Sequence, residues 1–125
     1  MTEVLFKHEV YRIIGAAMDV YYHLGRGFAE PVYQEALEIE LTRRQIPFTS
    51  QCRTHVFYKG EPLENFYKPD FLCFDEVVAE IKALHSLGGT DHAQIINYLK
   101  ATHKRVGLLI NFGSSIRLEW KRFVL

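Results

Sequence analysis

The sequence has little cysteine, no long apolar run and no excess of charge of either sign. It contains two cysteines, Cys52 and Cys73, and neither belongs to a CxxC pair. Neither a disulfide framework nor a cysteine-based zinc site is therefore expected. The first residues lack the apolar core of a signal peptide, and no stretch is apolar for long enough to cross a membrane. These absences predict a cytoplasmic protein with free thiols and no membrane segment.

The charges balance, because 15 basic and 15 acidic residues give a formal net charge of zero. Strong non-specific binding of nucleic acid usually needs a basic surface, so this neutrality counts against it. A neutral sum can nevertheless hide a basic patch around an acidic site. Eight cations could form such a patch or could be scattered solubilising charges, and both interpretations stay open: Arg43, Arg44, Arg53, Lys100, Lys104, Arg105, Lys121 and Arg122.

The composition is that of an ordinary globular domain. The chain has 125 residues, of which 48% are hydrophobic and 24% are charged. A chain of this size and composition can build a core without disulfides or a structural metal. We therefore expect residues 1–125 to form a single domain.

Hydrophobic periodicity predicts the element order ααβββαββ. Helical spacing indicates helices over about residues 3–23 and 31–44, and Thr90 is a good N-cap for a third helix that ends near His103. Alternating or short apolar runs indicate five strands at about residues 48–58, 63–74, 77–83, 105–111 and 116–124. This order predicts an α/β (α+β) domain with one mixed sheet.

The predicted strand at residues 77–83 carries two charges in an otherwise apolar run. Because side chains alternate along a strand, Glu80 and Lys82 share one face. Charged groups in a buried strand are costly unless they pair with each other or bind a metal. The pattern alone therefore leaves a structural ion pair and a functional site equally open.

Asp70 lies in the preceding strand, and the register of the hairpin decides whether it joins that face. A three-residue loop at 74–76 would pair Asp70 with Glu80, and one at 75–77 would pair it with Lys82. Both loops place the three side chains together, whereas a two-residue turn at 75–76 would place Asp70 on the opposite face unless a bulge intervened.

Convergence of these side chains would favour metal-assisted chemistry. Two neighbouring carboxylates drive one of them toward protonation, and a hard cation such as Mg²⁺ or Mn²⁺ removes that conflict. The metal can polarise a phosphodiester oxygen and activate a water molecule. Lys82 could orient the water or stabilise the charge that develops on the phosphate.

Four segments of the sequence together resemble a known family. Residues 68–70 (KPD) and 79–82 (AEIK) resemble the PD…(D/E)xK signature of a nuclease superfamily, and residues 27–33 (GFAEPVY) resemble the pattern of the GxxExxY family placed within it. Residues 94–99 (QIINYL) and 107–113 (GLLINFG) resemble that family's QxxxYL helix and GLLINFG strand and turn. The resemblance implies a restriction-endonuclease-like mixed sheet flanked by helices, with the active site on the central hairpin.

The resemblance also implies roles at the matching positions. Catalytic roles fall to Asp70, Glu80, Lys82, Glu30 and Gln94. The implied metal ligands are the carboxylates of Asp70, Glu80 and Glu30 together with the backbone carbonyl of Ile81. Tyr98 and Lys100 are expected to bind substrate, and Tyr33 is expected to be structural. Glu30 could instead be an acid favoured by a helix N-terminus, and Tyr98 could be an ordinary packing residue.

Three functional hypotheses follow. The first is a Mg²⁺- or Mn²⁺-dependent nuclease that acts on DNA, and a homodimer would help so small a chain to cover a duplex. The second is a non-cleaving module of the same fold that binds nucleic acid or protein. The third is a structural one, in which Glu80 and Lys82 only form an ion pair.

Overall fold

The computed structural model describes residues 4–125, which form three helices and seven strands. The helices are α1 (Lys7–Leu24), α2 (Glu30–Arg43) and α3 (Gly89–Thr102). The strands are β1 (Phe48–Ser50), β2 (Thr54–Tyr58), β3 (Glu61–Tyr67), β4 (Phe71–Cys73), β5 (Val77–Lys82), β6 (Val106–Asn111) and β7 (Glu119–Val124). The predicted helix start at Glu3 lies outside the described residues, and the expectation that residues 4–6 are helical was wrong, because Phe6 has a φ of 55° and α1 begins at Lys7.

Five strands form one mixed sheet in the order β1-β4-β5-β6-β7. The central strands β5 and β6 are parallel, and the other pairs are antiparallel. Helices α1 and α2 bury their apolar residues against one face of this sheet, and α3 covers the other. The expected mixed sheet flanked by helices is therefore confirmed. Within residues 4–125, none of the helices is long and apolar enough to span a bilayer.

Two of the predicted strands were wrong in extent, because each divides into two. The strand expected at 48–58 separates into β1 and β2 at Gln51, whose φ is 52°. The strand expected at 63–74 separates into β3 and β4 near Pro69, which has no N–H for a ladder. As a result β2 and β3 form a separate two-stranded hairpin outside the main sheet.

Two predicted boundaries also differ from the structure. The N-cap of α3 is Gly88 rather than Thr90, because the Asp91 carboxylate accepts the Gly88 N–H at 2.9 Å and closes the first turn. The last strand begins at Glu119 rather than near residue 116. Neither shift moves a side chain of the predicted site to another element.

Candidate active site

The β4–β5 hairpin sets the register on which the candidate site depends. Cys73 pairs with Val77 and Phe71 with Ala79, so the loop consists of residues 74–76. Phe74 and Asp75 adopt positive φ values of 56° and 58°, which lets so short a loop close. The same register, continued by one residue, sets Asp70 opposite Glu80. The first of the two three-residue loops considered above is therefore confirmed.

The two carboxylates are interlocked through the backbone. The Asp70 N–H donates to Glu80 Oε1 at 2.5 Å, and the Ile81 N–H donates to Asp70 Oδ2 at 2.9 Å. Each side chain thus accepts a hydrogen bond from the strand that carries the other one. This exchange holds both acids beside the first residue of β4, where the pairing of β4 with β5 stops.

Ile81 lies beyond the last observed pair of the β4–β5 hairpin. The pairs run from Cys73–Val77 to Phe71–Ala79, and Pro69, which the same register would set opposite Ile81, precedes β4. Proline has no N–H to donate, so Pro69 cannot extend the ladder to the Ile81 carbonyl. Ile81 also lines a cleft that contains Asp70.

Burial makes both acids weaker than usual. Desolvation, reinforced by the neighbouring Asp70 charge, raises the pKa of Glu80 to about 9. Desolvation also raises the pKa of Asp70, although the Ile81 N–H bond opposes that shift. Without a cation, Glu80 therefore holds a proton at neutral pH.

Lys82 extends the site toward α3. Its ammonium group donates to Gln94 Oε1 at 2.6 Å, and Gln94 Nε2 donates to Tyr98 Oη at 3.1 Å. The Lys82 amine also lies 3.9 Å from Asp91, and this is its ion pair among the described residues. A pure Glu80–Lys82 ion pair, the structural hypothesis, is therefore not what the structure contains.

Glu30 approaches the acids from α2, whose first residue it is. It shares an open cleft of about 500 Å³ with Asp70 and Ile81. Partial burial raises the pKa of Glu30, Lys82 opposes that shift, and Asp70 adds to it. Glu30 therefore lies in the same charged cluster as Asp70 and Lys82.

Of the remaining predicted residues, two tyrosines are buried and one lysine is exposed. Tyr33 is structural, as expected: it is fully buried, donates to Gly25 O at 2.5 Å and stacks on Phe112. Tyr98 is buried and packs edge-to-face on Tyr67. Lys100 is exposed on α3 and lies two positions from Tyr98, so the two side chains leave the helix in different directions.

Sequence reasoning missed three polar residues around the site. Gln34 follows Glu30 by one helical turn, is buried, and donates to the Asp70 carbonyl at 3.4 Å. Asp91 faces Lys82, as described above. Asn111 is fully buried, and its side chain forms hydrogen bonds with the backbone N–H and carbonyl of Leu84, two residues after Lys82. Only Asn111 carried a signal in the sequence, because it is the one polar residue at the end of an apolar run.

The donor chemistry of this cluster suits a hard divalent cation. Its available donors are carboxylate and carbonyl oxygens, which Mg²⁺, Mn²⁺ and Ca²⁺ prefer. Among residues 4–125, no three carboxylate, histidine or cysteine side chains lie close enough together to enclose a metal ion as they stand. A cation would therefore combine the acids of Asp70 and Glu80 with a main-chain oxygen.

Comparisons with known proteins bear on the family and the fold. A family model described as the PD-(D/E)XK nuclease superfamily matches residues 7–123. No curated protein matches the chain significantly. The crystal structure of SSO0001 aligns with a TM-score of 0.58 at 16% identity, covering 95% of this chain and 59% of that protein. An alkaline exonuclease, LHK-Exo from Laribacter hongkongensis, aligns with a TM-score of 0.44 at 12% identity, covering 99% of this chain and 72% of that one. The likeness to SSO0001 is one of fold, and this chain spans less than two thirds of its length.

Proposed function

We infer that this chain, which belongs to the PD-(D/E)XK nuclease superfamily, hydrolyses phosphodiester bonds with a divalent metal ion. Nucleases of this superfamily typically use such ions. The observation that carries the proposal is the interlocked pair of Asp70 and Glu80, two residues along β5 from Lys82 and its hydrogen bond to Gln94. A structural role would not require two neighbouring carboxyl groups at a place where burial disfavours their charges.

The protein groups have distinct parts in the proposed reaction. A cation held by Asp70, Glu80 and the Ile81 carbonyl would polarise the scissile phosphate and lower the pKa of a bound water. Glu80 must release its proton for this role. Lys82, held by Gln94 Oε1 at 2.6 Å, is placed to orient the attacking water or to stabilise charge on the phosphate. Glu30 reaches the same cleft from α2 and would contribute a third acid through a water molecule, because the three carboxylates do not lie close enough together to enclose one ion.

Several finer assignments belong to the same proposal. The preferred ion is Mg²⁺ or Mn²⁺, because the donors are oxygens. DNA is the proposed substrate, and Tyr98 and Lys100 are proposed to contact it. The motif at residues 27–33 and the placement of Glu30 support assignment to the GxxExxY family. A homodimer, a single domain over residues 1–125 and a cytoplasmic location complete the proposal, the last of these supported by the free thiols of Cys52 and Cys73.

The test is hydrolysis of DNA by purified protein with Mn²⁺ and by the Lys82→Ala variant. The wild type should nick or degrade DNA, and the variant should lose about 10²-fold or more of that activity, the usual loss when a group that stabilises developing charge is removed. The matched control is Lys7→Ala, an exposed lysine at the start of α1, which should cleave like the wild type.

The outcomes separate the hypotheses. Equal activity in wild type and Lys82→Ala, purified in the same way, would reveal a contaminating nuclease and refute the proposal. A wild type that binds DNA without cleaving it at any metal concentration would favour the non-cleaving module. Circular dichroism of each variant establishes that a loss of activity is not a loss of fold.

A further inference from the structure

We propose that the β2–β3 hairpin binds single-stranded nucleic acid, whose unpaired bases stack on Phe57 and Phe66. The hairpin stands outside the main sheet, and only one of its faces packs on the rest of the protein, through Tyr67 against Tyr98. The choice of ligand rests on the proposed nuclease function. The inference adds to that function a surface and a preferred substrate form.

The free face of the hairpin is aromatic. His55 pairs directly with Phe66, so the two residues share a face, and their rings lie 5.7 Å apart. Phe57 lies two residues along β2, beyond an irregularity in the register, and pairs with Pro62. The exposed fractions are 63% for Phe57 and 41% for Phe66, large values for phenylalanine in a strand. Neither ring belongs to the buried core, so both are available to a ligand.

A cation lies against one of these rings. The Arg53 guanidinium lies 4.7 Å from the centre of the Phe66 ring. The Lys59 amine lies 5.4 Å from the centre of the Tyr58 ring, which leaves β2 on the other face because Tyr58 follows Phe57. An exposed aromatic ring beside an arginine matches what a single strand offers, namely flat bases and a charged phosphate chain.

Both ends of the hairpin lead to the acids of the candidate site. On one side, the Gln51 N–H donates to the Asp70 carbonyl at 3.1 Å, and Arg53 follows two residues later. On the other side, β3 ends at Tyr67, and Lys68 and Pro69 connect it to Asp70. Lys68 lies close enough to weaken the rise that burial causes in the pKa of Asp70. A strand stacked on the hairpin is thus continuous with the cleft that contains Glu30, Asp70 and Ile81.

The experiment measures binding without cleavage. A fluorescein-labelled single-stranded oligonucleotide and its duplex are titrated with protein in EDTA, and fluorescence anisotropy gives Kd for each. Wild type should bind the single strand more tightly than the duplex, because paired bases cannot offer their faces. Phe57→Ala and Phe66→Ala should each raise Kd for the single strand about tenfold, the usual effect of losing one base–aromatic stack.

Two controls isolate stacking from general effects. Tyr11→Ala removes an aromatic ring that is 80% exposed on α1, and it should leave Kd unchanged. Phe66→Tyr keeps an aromatic face, so it should bind like the wild type. An oligonucleotide with 2-aminopurine should lose fluorescence on wild type and on Phe66→Tyr but not on Phe66→Ala, because quenching reports stacking itself.

Four results would overturn the proposal. Two concern the wild type, which would either fail to bind the single strand or bind the duplex more tightly than the single strand. In the other two, Phe57→Ala and Phe66→Ala would have the same Kd for the single strand as the wild type, or Tyr11→Ala would raise that Kd as much as they do. A wild-type dimer that dissociates in Phe57→Ala would instead assign the hairpin to contact between two copies. The result is also separable from the proposed reaction, since binding in EDTA is independent of cleavage. Weaker binding in the hairpin variants, together with full cleavage by Lys82→Ala, would refute only the reaction.

Discussion

At the scale of single residues, Asp70 and Glu80 behave as a pair that a cation would complete. Each accepts a backbone hydrogen bond from the other's strand, so neither can turn away without losing it. Burial nevertheless penalises two charges at this place. The metal-free protein resolves the conflict by keeping a proton on Glu80, whose pKa is about 9.

This proton predicts how stability depends on pH without metal. In the unfolded chain Glu80 has a pKa near 4.5, and in the folded protein it has a pKa of about 9. The folded state therefore binds the extra proton between these values, so the stability contributed by Glu80 is fully present below pH 4.5 and is lost as the pH rises through about 9. The melting temperature in EDTA should fall by several degrees over that window.

Glu80→Gln is the matched variant for this prediction. Glutamine keeps an oxygen that can accept the Asp70 N–H but carries no titratable proton. The decline in melting temperature should therefore be much shallower in the variant, as differential scanning fluorimetry across the pH series would show. Parallel curves for wild type and variant would mean that Glu80 is not the group that holds the proton.

At the scale of elements, the segment after β5 is held by the end of β6. Asn111 donates to the Leu84 carbonyl at 2.9 Å and accepts the Leu84 N–H at 2.8 Å. Gly113 lies against the same stretch, and a Cβ atom there would stand 2.6 Å from the Leu84 nitrogen. The backbone that follows Lys82 is therefore fixed by contacts from β6 and the turn after it, which supports the position of the lysine.

Gly113→Ala should consequently destabilise the protein and move this segment. The added methyl group meets backbone atoms rather than a flexible side chain, and overpacking of this kind typically costs about 1–3 kcal/mol. Urea unfolding would measure the loss. Gly89→Ala is the matched control, since a Cβ atom there meets nothing within 4 Å, and its stability should change little. Equal stability of the two variants would contradict the close approach at Gly113.

At the scale of the whole molecule, the candidate site joins parts that are distant in the chain. Glu30 comes from α2, Asp70 and Glu80 come from the β4–β5 hairpin, and Gln94 comes from α3 on the other face of the sheet. The unfolded chain has no such arrangement. A cation that binds these groups therefore binds the folded state and stabilises it.

Mn²⁺ or Mg²⁺ at millimolar concentration should raise the melting temperature by several degrees. The shift should be larger at pH 8 than at pH 6, because Glu80 must give up its proton to bind the ion. Asp70→Asn should abolish most of the shift while the metal-free protein stays folded. An unchanged melting temperature of the wild type at millimolar metal would contradict a cation site.

Much of this fold could be predicted from periodicity alone. The spacing of apolar residues predicts the helices, the buried strands β5 and β6 and the mixed sheet. Each segment carries this spacing in its own sequence. The same reasoning failed where the chain divides between two sheets. Gln51 and Pro69 interrupt strands whose apolar pattern continues, and the pattern does not record where a chain leaves a sheet.

The sequence by itself determined that Glu80 and Lys82 share a face, because alternation is a property of any strand. It also supplied the motifs that indicated the superfamily. Only the tertiary structure decided that Asp70 joins them, since a loop one residue shorter would have turned it away. It alone brought Gln34 and Asp91 to the site, because contacts between distant segments depend on how the elements pack.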